Sequence, residues 1–398
     1  MATTGAWQIG VLGAGAMGSG IAQVAAKSGH SVVVVDASAA AIEAARTGLR
    51  KSLARDVEKK RLAPDAVERI EANIRFMPTD GSNGGLSAFA GCDLVIEAIV
   101  EDLELKRRAF TAMEAVVGEG CILATNTSSL SVTAIGAACK RPERVIGLHF
   151  FNPPTVLPLV EAVTAITSDP KLVSQASGCV QSWRKDVVQV KDTPGFIVNR
   201  VARPFYGESL RVYEEGIADV PTIDWALKEI GGFRMGPFEL MDLIGNDVNY
   251  AVTTGIFEAF YYDPRYRPSL TQRRMVEAGR LGRKTGVGYY DYRGEGAAKP
   301  EPRADRAIGT RIVDRVLTML INEAADAAYL RIATKQAIDD AMTKGVNYPK
   351  GLLAWGDEIG VKEIYSRMLA LQEEYGEDRY RPSPLLRKHA STGERFYT

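Results

Sequence analysis

Residues able to do proton chemistry crowd into one stretch, Gly147-Leu148-His149-Phe150-Phe151-Asn152-Pro153-Pro154, with Leu159-Val160-Glu161 following. His149 is one of three histidines in the chain. An imidazole titrates near neutral pH, and a carboxylate holding one ring nitrogen lets the other take and return a proton. Glu161 is the carboxylate and Asn152 adds a positioning amide. Prolines at 153, 154 and 158 deny the intervening backbone a helix. A strand–loop–strand is therefore expected, with His149 and Glu161 side by side.

The elements that must hold this pair begin at the other end of the chain. Gln8-Ile9-Gly10-Val11-Leu12 reads as a short strand running into Gly13-Ala14-Gly15-Ala16-Met17-Gly18. A helical pattern follows to Ser28, and the β-branched run Ser31–Val35 closes on Asp36. Strand, glycine turn, helix, strand and acid together make a dinucleotide-binding unit. Gly13 makes the tight turn, Gly15 admits the pyrophosphate, Gly18 lets helix and strand pack closely, and the helix N-terminus faces the phosphates. Asp36 is placed to accept hydrogen bonds from the ribose hydroxyls. Ala37 and Ser38 follow it with no arginine for a 2′-phosphate, so the cofactor is read as NAD. Further strands at 93–97, 121–126 and 145–149 alternate with helical patterns, notably Leu103–Val117. That alternation predicts a doubly wound, parallel α/β sheet, with Glu101, Ser128 and His149 gathered at the carboxyl ends of its strands.

Composition narrows the class. The 398 residues carry 49 basic and 49 acidic side chains, so nothing favours nucleic acid or a membrane surface. No apolar run reaches the length of a membrane span, and Met1–Gln8 lacks the regions of a signal peptide. The four cysteines have no paired spacing and suit a reducing, cytoplasmic setting better than disulfides or a metal site.

The ordered motifs Gly13–Gly18 with Asp36, Ile96–Glu101, Asn126-Thr127-Ser128-Ser129, His149–Pro153 with Glu161, Asp192–Arg200, Met235–Leu240 and Lys284–Tyr290 resemble the L-3-hydroxyacyl-CoA dehydrogenases over roughly residues 7–292. The resemblance implies NAD-dependent oxidation of a 3-hydroxyacyl-CoA, a β-oxidation-type step. His149 would be the general base, Glu161 its orienting carboxylate, and Ser128 and Asn152 would position the reacting oxygen, the imidazole or the nicotinamide. Asn199 would complete the pocket from the next domain. Glu101 and Lys106 would serve the nicotinamide-side ribose and Lys284 the cofactor from across the cleft. Ser52 and Lys59 would meet the coenzyme A portion, against the plainer reading of a charged surface helix. For Lys106 the plainer reading is a solvated helix lysine. Rival classes are a β-hydroxyacid dehydrogenase, which usually relies on a lysine, and a crystallin-like NAD-binding protein without turnover.

Beyond residue 190 the pattern turns helical, and it repeats. Ile197-Val198-Asn199-Arg200-Val201 returns as Ile312-Val313-Asp314-Arg315-Val316, and Asp242-Leu243-Ile244-Gly245 as Asp357-Glu358-Ile359-Gly360, each shifted by 115. Arg265-Tyr266-Arg267-Pro268-Ser269 returns as Arg379-Tyr380-Arg381-Pro382-Ser383. The expected organisation is a nucleotide-binding domain over 1–190, a helical domain over 191–292, a Gly/Pro-rich linker over 293–304 and a second, non-catalytic copy of the helical domain over 305–398. The two copies are expected to pack as a pseudo-twofold pair, leaving either a monomer or a homodimer through another face. The copy resembles the duplicated 3-hydroxyadipyl-CoA dehydrogenases of phenylacetate catabolism, although their fuller members carry more sequence. Whether the acyl chain is adipyl or as short as butyryl stays open, as does which arginine a distal carboxylate would meet.

Overall fold

A computed structural model describes residues 5–79, 83–294 and 300–397, and the chain divides into two compact units, 1–193 and 194–398. Residues 295–299 of the expected linker lie outside the described residues.

The first unit is an eight-stranded sheet in the order β3-β2-β1-β4-β5-β6-β7-β8. Its strands are β1 (Gln8–Leu12), β2 (Ser31–Asp36), β3 (Ile74–Pro78), β4 (Leu94–Glu97), β5 (Ile122–Thr125), β6 (Val145–Phe150), β7 (Leu159–Thr164) and β8 (Asp186–Lys191). Side chains of both parities along the central strands are buried, the signature of a sheet covered on both faces. On one face Ile9, Val11, Val34 and Ile96 pack against Ile21, Ala22 and Ala25 of the helix Ala16–Lys27 and Leu49 and Leu53 of Ala39–Glu58. Every neighbouring pair from β3 to β6 is parallel, as expected. The edge departs from expectation: β7 runs antiparallel to β6, and β8 lies parallel to β7. Residues 151–158 are too few for a parallel crossover, which takes about a dozen residues, so the chain can only fold straight back.

The unit ends at Thr193 rather than 190. β8 runs to Lys191, and the Asp192 carboxylate accepts hydrogen bonds from Ser131 Oγ (2.9 Å) and the Thr133 amide (2.7 Å), tying it to the first unit.

The second unit is helical. Its longest helix, Arg306–Tyr329, is buried along most of its length and packs on Arg203–Glu214. The ion pairs that Arg306–Tyr329 makes with Arg200, in Val198–Val201, and with Glu208 are reciprocal. Arg200 Nε donates to Glu323 Oε1 at 2.6 Å, and 115 residues on, Arg315 Nε donates to Glu208 Oε2 at 2.9 Å. Tyr266 gives its hydroxyl to Glu323 (2.5 Å) and Tyr380 to Glu208 (2.9 Å). Buried charges tolerate desolvation only when paired in this way. Smaller devices recur too. Asp224 accepts the Phe238 and Glu239 amides at 2.9 and 3.0 Å, and Asp339 accepts those of Leu353 and Ala354 at 2.8 and 3.0 Å. The glycines before these amides, Gly236 and Gly351, leave no room for a Cβ beside Asp224 and Asp339 respectively.

Candidate active site

His149 and Glu161 are direct partners in the β6–β7 register, and His149 Nδ1 lies 2.7 Å from Glu161 Oε2. The Glu161 side chain is fully buried and that of His149 nearly so, which makes the hydrogen bond between them close to obligatory. With Nδ1–H donated to the carboxylate, Nε2 carries the lone pair that can receive a proton. The Phe151 ring packs beside the imidazole at a centroid distance of 4.5 Å.

The loop after His149 is anchored from below. Lys185, a buried cation, donates from Nζ to the carbonyls of Pro154 and Leu157, the latter at 2.7 Å. Pro154 sits against Gly20 of the first helix, where a Cβ would meet the proline Cδ at 2.9 Å. Asn152 is exposed, and its peptide bond to Pro153 is cis. Sequence reasoning missed Lys185, since its partners lie about thirty residues away with no local pattern to mark them.

At the ends of β4 and β5 a second group assembles around Glu101. One carboxylate oxygen accepts Thr127 Oγ1 (2.6 Å), Ser129 Oγ (2.9 Å) and the Ser128 amide (3.0 Å). Burial alone would raise the Glu101 carboxyl, but Lys106 beside it and these hydrogen bonds hold it below its ordinary range. The strand ends are laced together by Asn126 Oδ1, which accepts the Phe150 amide at 2.8 Å. Thr127 and Ser129 hold Glu101, a role that the run Asn126–Ser129 does not reveal by itself.

Lys106 is not a solvated helix lysine: its side chain is 1% exposed, with Nζ 2.6 Å from Glu97 Oε1 and 3.2 Å from Glu101 Oε2. It neutralises two carboxylates under the site, one of them fully buried.

The glycine turn suits a dinucleotide. Gly13 has φ +108°, and a Cβ there would meet the Ala98 carbonyl oxygen at 2.5 Å. A Cβ on Gly18 would stand 1.9 Å from the Gly13 carbonyl oxygen, while at Gly15 no described atom lies within 4 Å. Gly15 is also the N-cap of Ala16–Lys27, without a side-chain cap, so its amides remain available to phosphate oxygens. Asp36 braces the turn by accepting the Ala14 amide (2.7 Å) and the Ser38 amide (2.7 Å).

The remaining expected residues are dispersed. Ser52 and Lys59 stand seven residues apart, two turns, at the far end of Ala39–Glu58; Ser52 Oγ accepts from Gln23 (2.9 Å) and Lys59 is the exposed C-cap. In the second unit Lys284 pairs with Asp247 at 2.5 Å. Asn199, half-buried in the turn Val198–Val201, offers its carbonyl to Arg203 Nε at 2.7 Å.

A covered parallel sheet, a dinucleotide turn and a His–Glu pair at a neighbouring strand end define an NAD-dependent dehydrogenase. Known proteins narrow the class. Residues 8–193 match the 3-hydroxyacyl-CoA dehydrogenase NAD-binding domain, and residues 195–292 and 312–395 match the 3-hydroxyacyl-CoA dehydrogenase C-terminal domain. A 3-hydroxyadipyl-CoA dehydrogenase of Escherichia coli is 39% identical, with 96% of this chain and 97% of the relative covered. Human mitochondrial hydroxyacyl-coenzyme A dehydrogenase is 40% identical over 71% of this chain and 90% of its own length. Among solved structures, a 3-hydroxybutyryl-CoA dehydrogenase of Escherichia coli superposes with a TM-score of 0.91 at 37% identity, covering 98% of this chain and 99% of that one. The chain belongs to the 3-hydroxyacyl-CoA dehydrogenase family, and its Rossmann-like NAD-binding domain is followed by the family's helical C-terminal domain. It is an NAD-dependent oxidoreductase.

Proposed function

We propose that His149 is the general base that removes the 3-hydroxyl proton of an (S)-3-hydroxyacyl-CoA as the C3 hydride departs, giving the 3-ketoacyl-CoA. The observation that carries this is the 2.7 Å contact between His149 Nδ1 and a fully buried Glu161 carboxylate. Glu161 fixes the tautomer and faces the imidazolium as it forms, in the manner of other His–acid pairs. When bound, NAD supplies the hydride acceptor; Gly13, Gly15, Gly18 and Asp36 hold it, and Glu101 orients its nicotinamide half. Ser128 and Asn152 position the reacting oxygen, and Asn199 is a further substrate-binding residue. Ser52 and Lys59 meet the coenzyme A portion, and Lys284 the cofactor.

The reading extends to the helical half: residues 195–292 and 312–395 are tandem copies, and only the first is catalytic. The recurrence of Arg200–Glu323 as Arg315–Glu208 supports a pseudo-twofold pair, because an isologous interface repeats each contact with the roles exchanged. The internal pair takes the place of a homodimer, so light scattering is expected to give the monomer mass. Four free, buried cysteines support a reducing, cytoplasmic setting.

The test of the base is His149→Ala, assayed with acetoacetyl-CoA and NADH. The rate is expected to fall on the order of 10²- to 10⁴-fold with little change in NAD affinity. An undiminished rate would place the base elsewhere.

A further inference from the structure

Five arginines are buried among the described residues. Four have carboxylates: Arg144 with Glu114, Arg200 with Glu323, Arg315 and Arg379 with Glu208. The fifth, Arg203, has none among the described residues. Of the five N–H donors of its guanidinium, two are accounted for, Nε by the Asn199 carbonyl (2.7 Å) and Nη1 by Thr253 Oγ1 (3.1 Å). The guanidinium lies over the Tyr206 ring at 4.9 Å. Tyr348, from the far half of the helical unit, adds a hydroxyl that is buried with no hydrogen-bond partner among the described residues. Burial pulls the Arg203 pKa down, and only these two tyrosines oppose it. A cation and an orphaned hydroxyl so arranged are a set of donors lacking an acceptor, and a carboxylate supplies that acceptor and the missing charge together.

We propose that Arg203, with Tyr206 and Tyr348, receives the far carboxylate of a dicarboxylic 3-hydroxyacyl thioester and so sets the enzyme's acyl preference. This rests on the reading that Asn199 belongs to the substrate-binding residues. The hydrogen bond from Arg203 to the Asn199 carbonyl joins the cluster to that residue within one helical turn. The scaffold itself does not call for these groups. Thr318 takes the place of Arg203 at the 115-residue shift, and Phe233 is the hydroxyl-free counterpart of Tyr348.

The experiment compares kcat/KM for 3-hydroxyadipyl-CoA and 3-hydroxyhexanoyl-CoA, which have the same number of acyl carbons, in the parent enzyme, Arg203→Met and Tyr348→Phe. The parent is expected to favour the dicarboxylic thioester. Arg203→Met should lower the adipyl-to-hexanoyl ratio by roughly 10- to 100-fold, the range for hydrogen bonds to a charged group. Tyr348→Phe removes one oxygen without disturbing the fold and should lower the ratio by about 5-fold. A ratio unmoved by both substitutions overturns the proposal, however much the individual rates change. So does thermal stabilisation of the parent by free acetate, lost in Arg203→Met, with the ratio unchanged, since the cluster would then serve a free anion. A parent that turns over neither thioester would remove the dehydrogenase reading itself, and this proposal with it; a parent that oxidises only the hexanoyl compound removes the proposal alone.

Discussion

Residues 195–292 and 312–395 share a skeleton and differ in chemistry. Arg200 and Arg315, Glu208 and Glu323, Tyr266 and Tyr380, Asp224 and Asp339 each perform the same structural act in both segments. Divergence concentrates elsewhere. Asn199 becomes Asp314, whose carboxylate is turned to Arg367 at 2.8 Å. Arg203 becomes Thr318, a buried residue whose hydroxyl has no partner among the described residues, on the wall of a cavity of about 220 Å³. Sameness is kept where the two segments fit each other, and the proposed assignment of substrate to the first segment alone accounts for the difference.

The largest expected effect probes the sameness. Arg200→Met and Arg315→Met each leave a buried carboxylate short of its counter-ion and should cost about 3–5 kcal/mol in chemical denaturation. Similar losses would sharpen the equivalence, and a loss confined to one variant would break it. The next probes the difference. Asn199→Ala should lower kcat on the order of 10²-fold, typical of removing one preorganised polar contact, whereas Asp314→Ala should leave turnover at the parent rate. Equal losses in the two variants would mean that the second segment takes part in catalysis.

The smallest effect is read from pH. Burial, chiefly, lifts the Asp224 carboxyl from 3.8 to about 7, against the hydrogen bonds from Phe238, Tyr290 and Glu239. Between those pH values the folded protein keeps a proton that the unfolded chain has released. The group's contribution to stability is whole below about pH 4 and is lost as pH rises to 7, by at most about 1.4 kcal/mol per pH unit. Urea midpoints from pH 5 to 8 should therefore fall less steeply for Asp224→Asn than for the parent. Asp339, raised in the same direction by burial, should behave alike. An equal fall in parent and variant would show that the carboxyl is ionised in the fold across this range.

The His149–Glu161 pair was legible because its signals are local: an apolar run into His149, prolines that forbid a helix, and a return strand carrying Glu161. The dinucleotide turn was legible for the same reason. β3 and β8 were passed over because Ile-Arg-Phe-Met-Pro and Asp-Val-Val-Gln-Val-Lys are short and partly polar, and they become strands by pairing with β2 and β7. The burial of Lys106 was not legible because a lysine on an amphipathic helix ordinarily faces water, and only the fold brings Glu97 and Glu101 around it. Arg203 was invisible for a deeper reason. An arginine's lack of a counter-ion is a property of the whole three-dimensional neighbourhood, and no window of sequence contains it.

The Arg200–Glu323 and Arg315–Glu208 lock joins parts of a single polypeptide, 123 and 107 residues apart. An interface between separate subunits weakens as a solution is diluted, because association competes with translational freedom. Here the partner is tethered and its local concentration is set by the connecting chain, independent of how many copies a cell contains. The helical half should thus keep its shape at the scarcest expression levels, with thermal stability that does not vary with protein concentration.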